Sequence, residues 1–302
     1  MKKRNVLLFM ILFTLCLSGC SKKTSENTSD SEQKIQVSVT FDALAEFTSA
    51  VGKDLVEVKT IIPNGMEPHD FEPKAADITA LSNADVFVYN GLGMESWVEE
   101  SLNASPNTSR IVVIASDGCD PLTNSEEESR EHGTYDPHLW LSISGAKIQV
   151  QNIADGLSKA DPANESFYQE NAATYIAELD SLFTEYKSKF DRLPNKSFVT
   201  GHAAFHYFCR DFGLAQNSVE DVFAEGEPST RQLAELVEYC KEHNVTTIFA
   251  EDMASPEISQ TLATEVNAKV ETIHTMESSE DGITYLERME DNCKKVFESL
   301  SE

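Results

Sequence analysis

Residues 161–192 read as one continuous amphipathic helix, and no other stretch of the 302-residue chain limits its fold so strongly. After Asp161 and Pro162, the residues Phe167, Tyr168, Tyr175, Leu179, Leu182 and Phe183 recur at helical intervals. At about 1.5 Å per residue, about thirty residues span about 45 Å, more than one small lobe needs. Such a segment suits a strut between two lobes. On its N-terminal side, β-type stretches at 35–40, 55–62, 85–89 and 110–115 alternate with helical stretches at 42–51, 74–82 and 94–102, and a helix follows at 144–159. On its C-terminal side the alternation returns: strands at 197–200, 215–219, 246–250 and 269–273, and helices at 203–212, 230–242, 256–266 and from about 282. Strands separated by helices pair in parallel through right-handed crossovers. The expected fold is therefore α/β, with two lobes (35–160 and 193–302), each a mainly parallel sheet flanked by helices. One long rigid helix over 161–192 joins them, and a cleft lies between. Ligands in such sheets gather at the C-terminal ends of the strands.

The first residues are addressed elsewhere. Lys2, Lys3 and Arg4 precede an apolar run over 6–17 that is too short and too early for a membrane span, and Leu17-Ser18-Gly19-Cys20 closes it. This is an export signal over 1–19, and its end resembles the lipobox of bacterial lipoproteins, with Cys20 as the lipid-bearing residue. A plain secretory signal with Cys20 near the cleavage point is the other reading. Residues 20–34, poor in large apolar side chains, form a flexible tether. The expected location is outside the cytoplasmic membrane, lipid-anchored to its outer face. Loss of three positive charges with the signal takes the formal charge from −27 to −30, which repels nucleic acid and favours cations. Among Cys119, Cys209, Cys240 and Cys293 no Cys-x-x-Cys spacing occurs, which argues against a thiolate metal site. Cys240 with Cys293 is the pair most open to a disulfide, and buried free thiols are an equal reading.

Four residues fall at strand ends or loops facing the expected cleft. His69 follows the second strand in a loop stiffened by Pro68 and Pro73, His138 closes the acidic loop over 116–137, His202 follows the strand 197–200, and Glu277 follows the strand ending at 273. Three imidazoles and one carboxylate suit zinc in tetrahedral geometry; manganese prefers more oxygen. Four protein ligands leave no open position for an activated water, which points to binding and not to an enzyme. Glu67, Asp70 and Asp136 are candidates for orienting the rings. His274 is an alternative to Glu277, as is water. His202 and His206, four apart, would share a helix face as in the zincin His-Glu-x-x-His motif, but Ala203 stands where the catalytic Glu belongs. His132, His206, His243 and His274 are read as structural or solvent-facing. The loop over 116–137, with Glu126, Glu127, Glu128 and Glu131, reads as a solvated charged loop.

The segments PNGMEPHDFEP (63–73), DPHLWL (136–141), GHAAFHYFCRDFGL (201–214), EPS (227–229) and FAE (249–251) resemble, in order and across the whole chain from Ile35, the zinc/manganese solute-binding lipoproteins of ABC importers. The resemblance implies two lobes joined by a single rigid helix, one metal ion between them, and an ABC permease as partner, with the protein itself expected to be a monomer. It assigns His69 and His138 to the first-lobe ligands and His202 to a position that is His in zinc-type members and Glu in manganese-type ones. Glu277 falls at the fourth, variable position. Zinc (Zn2+) is the implied cargo; a manganese or iron member, a metal-dependent hydrolase and an adhesin are the alternatives. Zinc-type relatives often carry a histidine-rich loop, whereas the loop before Asp136 holds only His132 among acidic residues.

Overall fold

A computed structural model describes residues 34–126, 129, 133–222, 229–251, 257–278 and 282–302. The export segment, Cys20 and most of the tether lie outside the described residues, as do Glu127, Glu128, Glu131 and His132 of the acidic loop and the Glu227-Pro228 pair.

The first lobe runs β1 (Ile35–Val39), α1 (Asp42–Gly52), β2 (Val56–Thr60), α2 (Ala75–Asn83), β3 (Val86–Tyr89), α3 (Val98–Ala104) and β4 (Ile111–Ile114). Its four strands lie in the order β2-β1-β3-β4 with every pairing parallel. The central strand β3 reads Val-Phe-Val-Tyr, as expected of a parallel strand covered on both faces. At the edge, β4 turns Val112 and Ile114 outward. After α4 (Ile143–Ala160) and α5 (Glu165–Phe190) the second lobe runs β5 (Ser197–Thr200), α6 (His206–Phe212), β6 (Ala215–Ser218), α7 (Thr230–Glu242), β7 (Thr247–Glu251), α8 (Glu257–Val266), β8 (Lys269–Ile273) and α9 (Tyr285–Ser301). The strand order is β6-β5-β7-β8, again all parallel. The doubly α/β architecture expected from the alternation is the one observed.

The 26-residue α5 buries Tyr168, Ala172, Leu179, Tyr186 and Phe190, one stripe of a 3.6-residue period. Near its start, Asn171 Nδ2 donates to the carbonyl of Val51 in the first lobe (2.9 Å). Near its end, Phe190 meets the rings of Phe208, Phe212 and Phe297 of the second, at centroid distances of 6.2, 5.0 and 6.0 Å. The main hydrophobic core accordingly continues from Val37 and Phe47 through α5 to Phe208 and Val296. A smaller cluster of Val199, Leu236, Cys240, Ile248 and Leu262 packs the far side of the second sheet. Cys240 and Cys293 sit in different clusters and all four described cysteines are free thiols, so the candidate disulfide is not formed. Among the described residues no helix is long and apolar enough to cross a membrane.

Polar ties also cross between lobes. Arg288 of α9, fully buried, donates to Asp42 (2.6 Å) and lies 3.4 Å from Glu46 of α1. The Trp140 indole donates to the Thr275 carbonyl (2.7 Å), Tyr285 OH to the Trp140 carbonyl (2.5 Å), and the amides of Asp42 and Ala43 to the carbonyls of Glu277 and Met276 (3.2 and 3.1 Å). The segment after β8 is thereby fastened to the start of α1.

Two helices start later than their periodicity suggests. The helix expected from 203 begins at His206, because the backbone before it is held by tertiary partners. His202 N donates to Glu251 Oε1 (3.0 Å), Ala203 N to the Asp221 carbonyl (3.1 Å) and Phe205 N to Gln216 Oε1 (2.9 Å). His202 and His206 therefore do not share a helix face, and the zincin-like pairing is lost. The helix expected from 94 begins at Val98, since the Glu95 side chain turns back to accept from the amides of Asn90 and Gly91 (2.8 and 3.0 Å). Gly213, left-handed at φ 67°, ends α6 as an unstrained left-handed terminator.

Candidate metal centre

The first lobe delivers two histidines from loops and the second lobe one from a strand end. The loop after β2 turns through Gly65 at φ 81° and is pinned by Phe71, whose ring packs edge-on to Trp97 at 5.4 Å. His69 projects from this loop half-buried. His138 precedes the short 3-10 turn Leu139–Leu141, whose three side chains are all buried, and is itself fully buried. His202 leaves the end of β5 and is 4% exposed.

The three side chains converge. The ligand atoms of His69, His138 and His202 all lie within 4.8 Å of one another. His138 Nε2 is 3.2 Å from His69 Nε2 and 3.4 Å from His202 Nε2. The rings are tilted, with centroids 5.1 and 5.2 Å apart, so the three nitrogens point at a common space and do not stack.

Carboxylates stand behind the rings. Asp136 Oδ1 accepts from both the backbone N and ring Nδ1 of His138 (2.9 Å each), and Oδ2 accepts from His206 Nδ1 (3.0 Å). Burial alone would raise the Asp136 pKa, but the donors on His138 and His206 hold it well below the ordinary carboxylate range. An ionised carboxylate only accepts, so Nδ1 of His138 carries the proton and Nε2 presents its lone pair to the cluster. Burial pushes the His138 pKa down, against the pull of Asp136.

Glu251, at the end of β7, does the same for the other lobe. Its Oε1 accepts from His202 N and stands 3.6 Å from His202 Nδ1. It can approach this closely because residue 201 is glycine: a Cβ there would sit 1.9 Å from Glu251 Oε2. Burial lowers the His202 pKa, but the bond and charge of Glu251, then the charges of Glu277 and Glu67, overcome this and raise it to about 9. Glu67 is raised by its own burial, partly offset by His202.

Of the four residues singled out from the sequence, the structure gathers the three histidines. Glu277 is buried at 4% exposure and its charge acts on His202, yet its carboxylate is not part of the three-histidine cluster; Oε2 accepts from Thr275 Oγ1 (2.8 Å). His274 is engaged by α9, its N by Asn292 (2.9 Å) and its Nε2 by Asp291 (3.1 Å). Asp136 has the ring-orienting position expected of it, whereas Asp70 is exposed. Sequence reasoning gave no role to Glu251 and placed His206 among the bland histidines. The available signal for Glu251 was its place at the C-terminal end of a parallel strand.

A family model described as "Zinc-uptake complex component A periplasmic" matches residues 37–298. The chain is 43% identical over 292 residues to a "Putative metal-binding protein" of Treponema pallidum, covering 94% of this chain and 92% of that one. It is 36% identical over 313 residues to the "High-affinity zinc uptake system protein ZnuA" of Bacillus subtilis, covering 99% and 98%. Among solved structures, a zinc-bound deletion mutant of ZnuA superposes with a TM-score of 0.79 at 31% identity, covering 89% of this chain and 99% of that one.

Proposed function

Since the chain belongs to the periplasmic zinc-uptake complex component A family, we propose that it binds one zinc ion between its lobes through Nε2 of His69, His138 and His202, and hands it to a membrane permease of the importer. One observation carries the ligand assignment. Zinc–nitrogen bonds of about 2.0–2.1 Å in a tetrahedron place neighbouring nitrogens about 3.3–3.4 Å apart, and the two Nε2 separations from His138 are 3.2 and 3.4 Å. Two of the three edges between these nitrogens thus have the length of a zinc coordination shell, and the third lies within 4.8 Å. Three nitrogen ligands favour zinc over manganese.

Glu277 is the fourth ligand in this reading, reached by a short rearrangement from Thr275. Asp136 fixes the His138 tautomer and Glu251 anchors the His202 backbone, so that two rings are oriented before the ion arrives. A shell closed by four protein ligands leaves no place for an activated water, so the chemistry is capture and release, not hydrolysis. Residues 1–19 act as the export signal and Cys20 as the lipid anchor, with 20–34 as the tether; the protein is a monomer on the outer face of the membrane, with 35–160, 161–192 and 193–302 as its lobes and linking helix. Native mass spectrometry of the metal-free protein with zinc and with manganese tests the reading. One tightly held zinc, lost in His69→Ala and His202→Ala, is expected. Retention of manganese with zinc excluded refutes the choice of metal, and unchanged zinc affinity in both variants refutes the ligands.

A further inference from the structure

His138 belongs to the first lobe by sequence, but the segment that carries it is held by α6 of the second. Arg210 Nη1 donates to the Asp120 carbonyl (2.6 Å), and Asp211 Oδ2 accepts from Ser142 Oγ and Ser144 N (2.9 Å each), so α6 fastens the chain on both sides of His138. Between these ties stands Tyr207, fully buried, with the Arg210 guanidinium 4.8 Å from its ring centroid.

The two ends of the acidic loop run antiparallel. Thr123 bridges Tyr135, Asp136 N donates to the Leu122 carbonyl and Asn124 N to the Thr134 carbonyl (3.0 Å each). In that register Leu122 and Asp136 are a hydrogen-bonded pair, which ordinarily exchanges both of its N–H···O bonds directly. Here the second bond passes through Tyr207: Leu122 N donates to the hydroxyl (3.0 Å), and the hydroxyl donates to the Asp136 carbonyl (2.8 Å). The hydroxyl is a wedge in the ladder. Without it a buried carbonyl and an amide lose their partner, or the two strands close onto each other; the first loosens Asp136 and the second moves it. Asp136 Oδ1 is the atom that takes the Nδ1 proton of His138 (2.9 Å), and Pro137 between the two residues leaves little backbone slack.

We propose that Tyr207 is a positioning residue of the zinc site: its hydroxyl sets the backbone of Asp136, and through Asp136 the tautomer and direction of the His138 ring. The inference rests on the three-histidine reading and deepens it. A ligand of the first lobe is aimed by the helix that follows His202 in the second.

Tyr207→Phe removes the hydroxyl alone. Zinc affinity of the metal-free protein, read by competition with a chromophoric chelator, should fall about tenfold or more while circular dichroism keeps the wild-type fold. Nitrogen-15 NMR of the metal-free protein gives the readout that a purely structural role leaves alone: His138 should be a single Nδ1–H tautomer in the wild type and a mixture in the variant. A double-mutant cycle fixes the route. Added to Asp136→Ala, Tyr207→Phe should weaken zinc by less than about threefold further; added to Glu251→Gln, on the other lobe, it should cost the full factor of about ten. Arg210→Ala, at an exposed position, loosens the ring without emptying the core and should weaken zinc by about threefold or more, which decides the matter if Tyr207→Phe does not fold. An affinity within about twofold of wild type in Tyr207→Phe, an unchanged His138 tautomer, or a full loss of about tenfold on top of Asp136→Ala overturns the proposal, as does an unchanged affinity in Arg210→Ala where Tyr207→Phe does not fold. His138→Ala separates the two readings. If it leaves zinc affinity unchanged, the ligand assignment fails; if it abolishes binding while Tyr207→Phe binds as wild type, only the role of Tyr207 fails.

Discussion

Glu95 offers a sharp test of how the first lobe is held in place. The side chain is buried at 6% exposure and accepts from Thr40 Oγ1 (2.7 Å) and from the amides of Asn90 and Gly91. Burial raises its pKa from 4.5 to about 7, against the pull of these donors. A group whose folded pKa is raised stabilises the fold fully below its unfolded pKa, and that stability is lost as pH rises through the folded value. At about 1.4 kcal/mol per pH unit, the rise is worth about 3 kcal/mol, lost between about pH 4.5 and pH 7.5. Glu95→Gln cannot titrate. Urea unfolding of wild type and variant from pH 5 to pH 8 should therefore show a wild-type stability that falls relative to the variant by up to about 3 kcal/mol as pH rises. A difference that does not change with pH would refute the account. The result bears on the site, because Asn90, held by Glu95, donates to the Pro137 carbonyl (2.8 Å) beside His138 and accepts from Gln149 (2.8 Å).

Other outcomes follow from the same geometry. With a pKa of about 9, His202 is protonated at neutral pH in the metal-free protein, so zinc must displace that proton; affinity should rise about tenfold per pH unit towards pH 9, with about one proton released in calorimetry across buffers of different ionisation enthalpy, and no release would contradict it. Gly201→Ala puts a methyl group into Glu251 Oε2 and should weaken zinc binding about tenfold or more with the fold retained by circular dichroism. Arg288→Ala strips the buried partner from Asp42 and should cost about 3 kcal/mol in chemical unfolding. Phe190→Ala empties the ring cluster at the end of α5 and should cost about 3–5 kcal/mol.

The architecture was legible because its signals are local. Alternating β-branched runs and helical spacings mark eight strands and the long helix, and they place His69, His138 and His202 in loops or at strand ends facing the expected cleft. What escaped is contact across sequence distance. Nothing local distinguishes His206 from any helix-surface histidine; its role depends on Asp136, seventy residues earlier. Glu251 acts through a backbone amide 49 residues away, made reachable by Gly201. The start of α6 departs from the spacing for the same reason, since the amides of His202, Ala203 and Phe205 bond Glu251, Asp221 and Gln216 and not a helical turn. Glu277 could be placed after β8 by counting, but whether its carboxylate turns to the histidines or to Thr275 is a matter of side-chain rotation that no spacing encodes.

X-ray absorption at the zinc edge, on protein loaded with one equivalent of the metal, measures the central claim directly. The account predicts a four-coordinate ion with three imidazole nitrogens at about 2.0–2.1 Å and one carboxylate oxygen at about 2.0–2.2 Å, and one imidazole fewer in His69→Ala. A sulfur scatterer at about 2.3 Å, or an oxygen shell without imidazole, would contradict it.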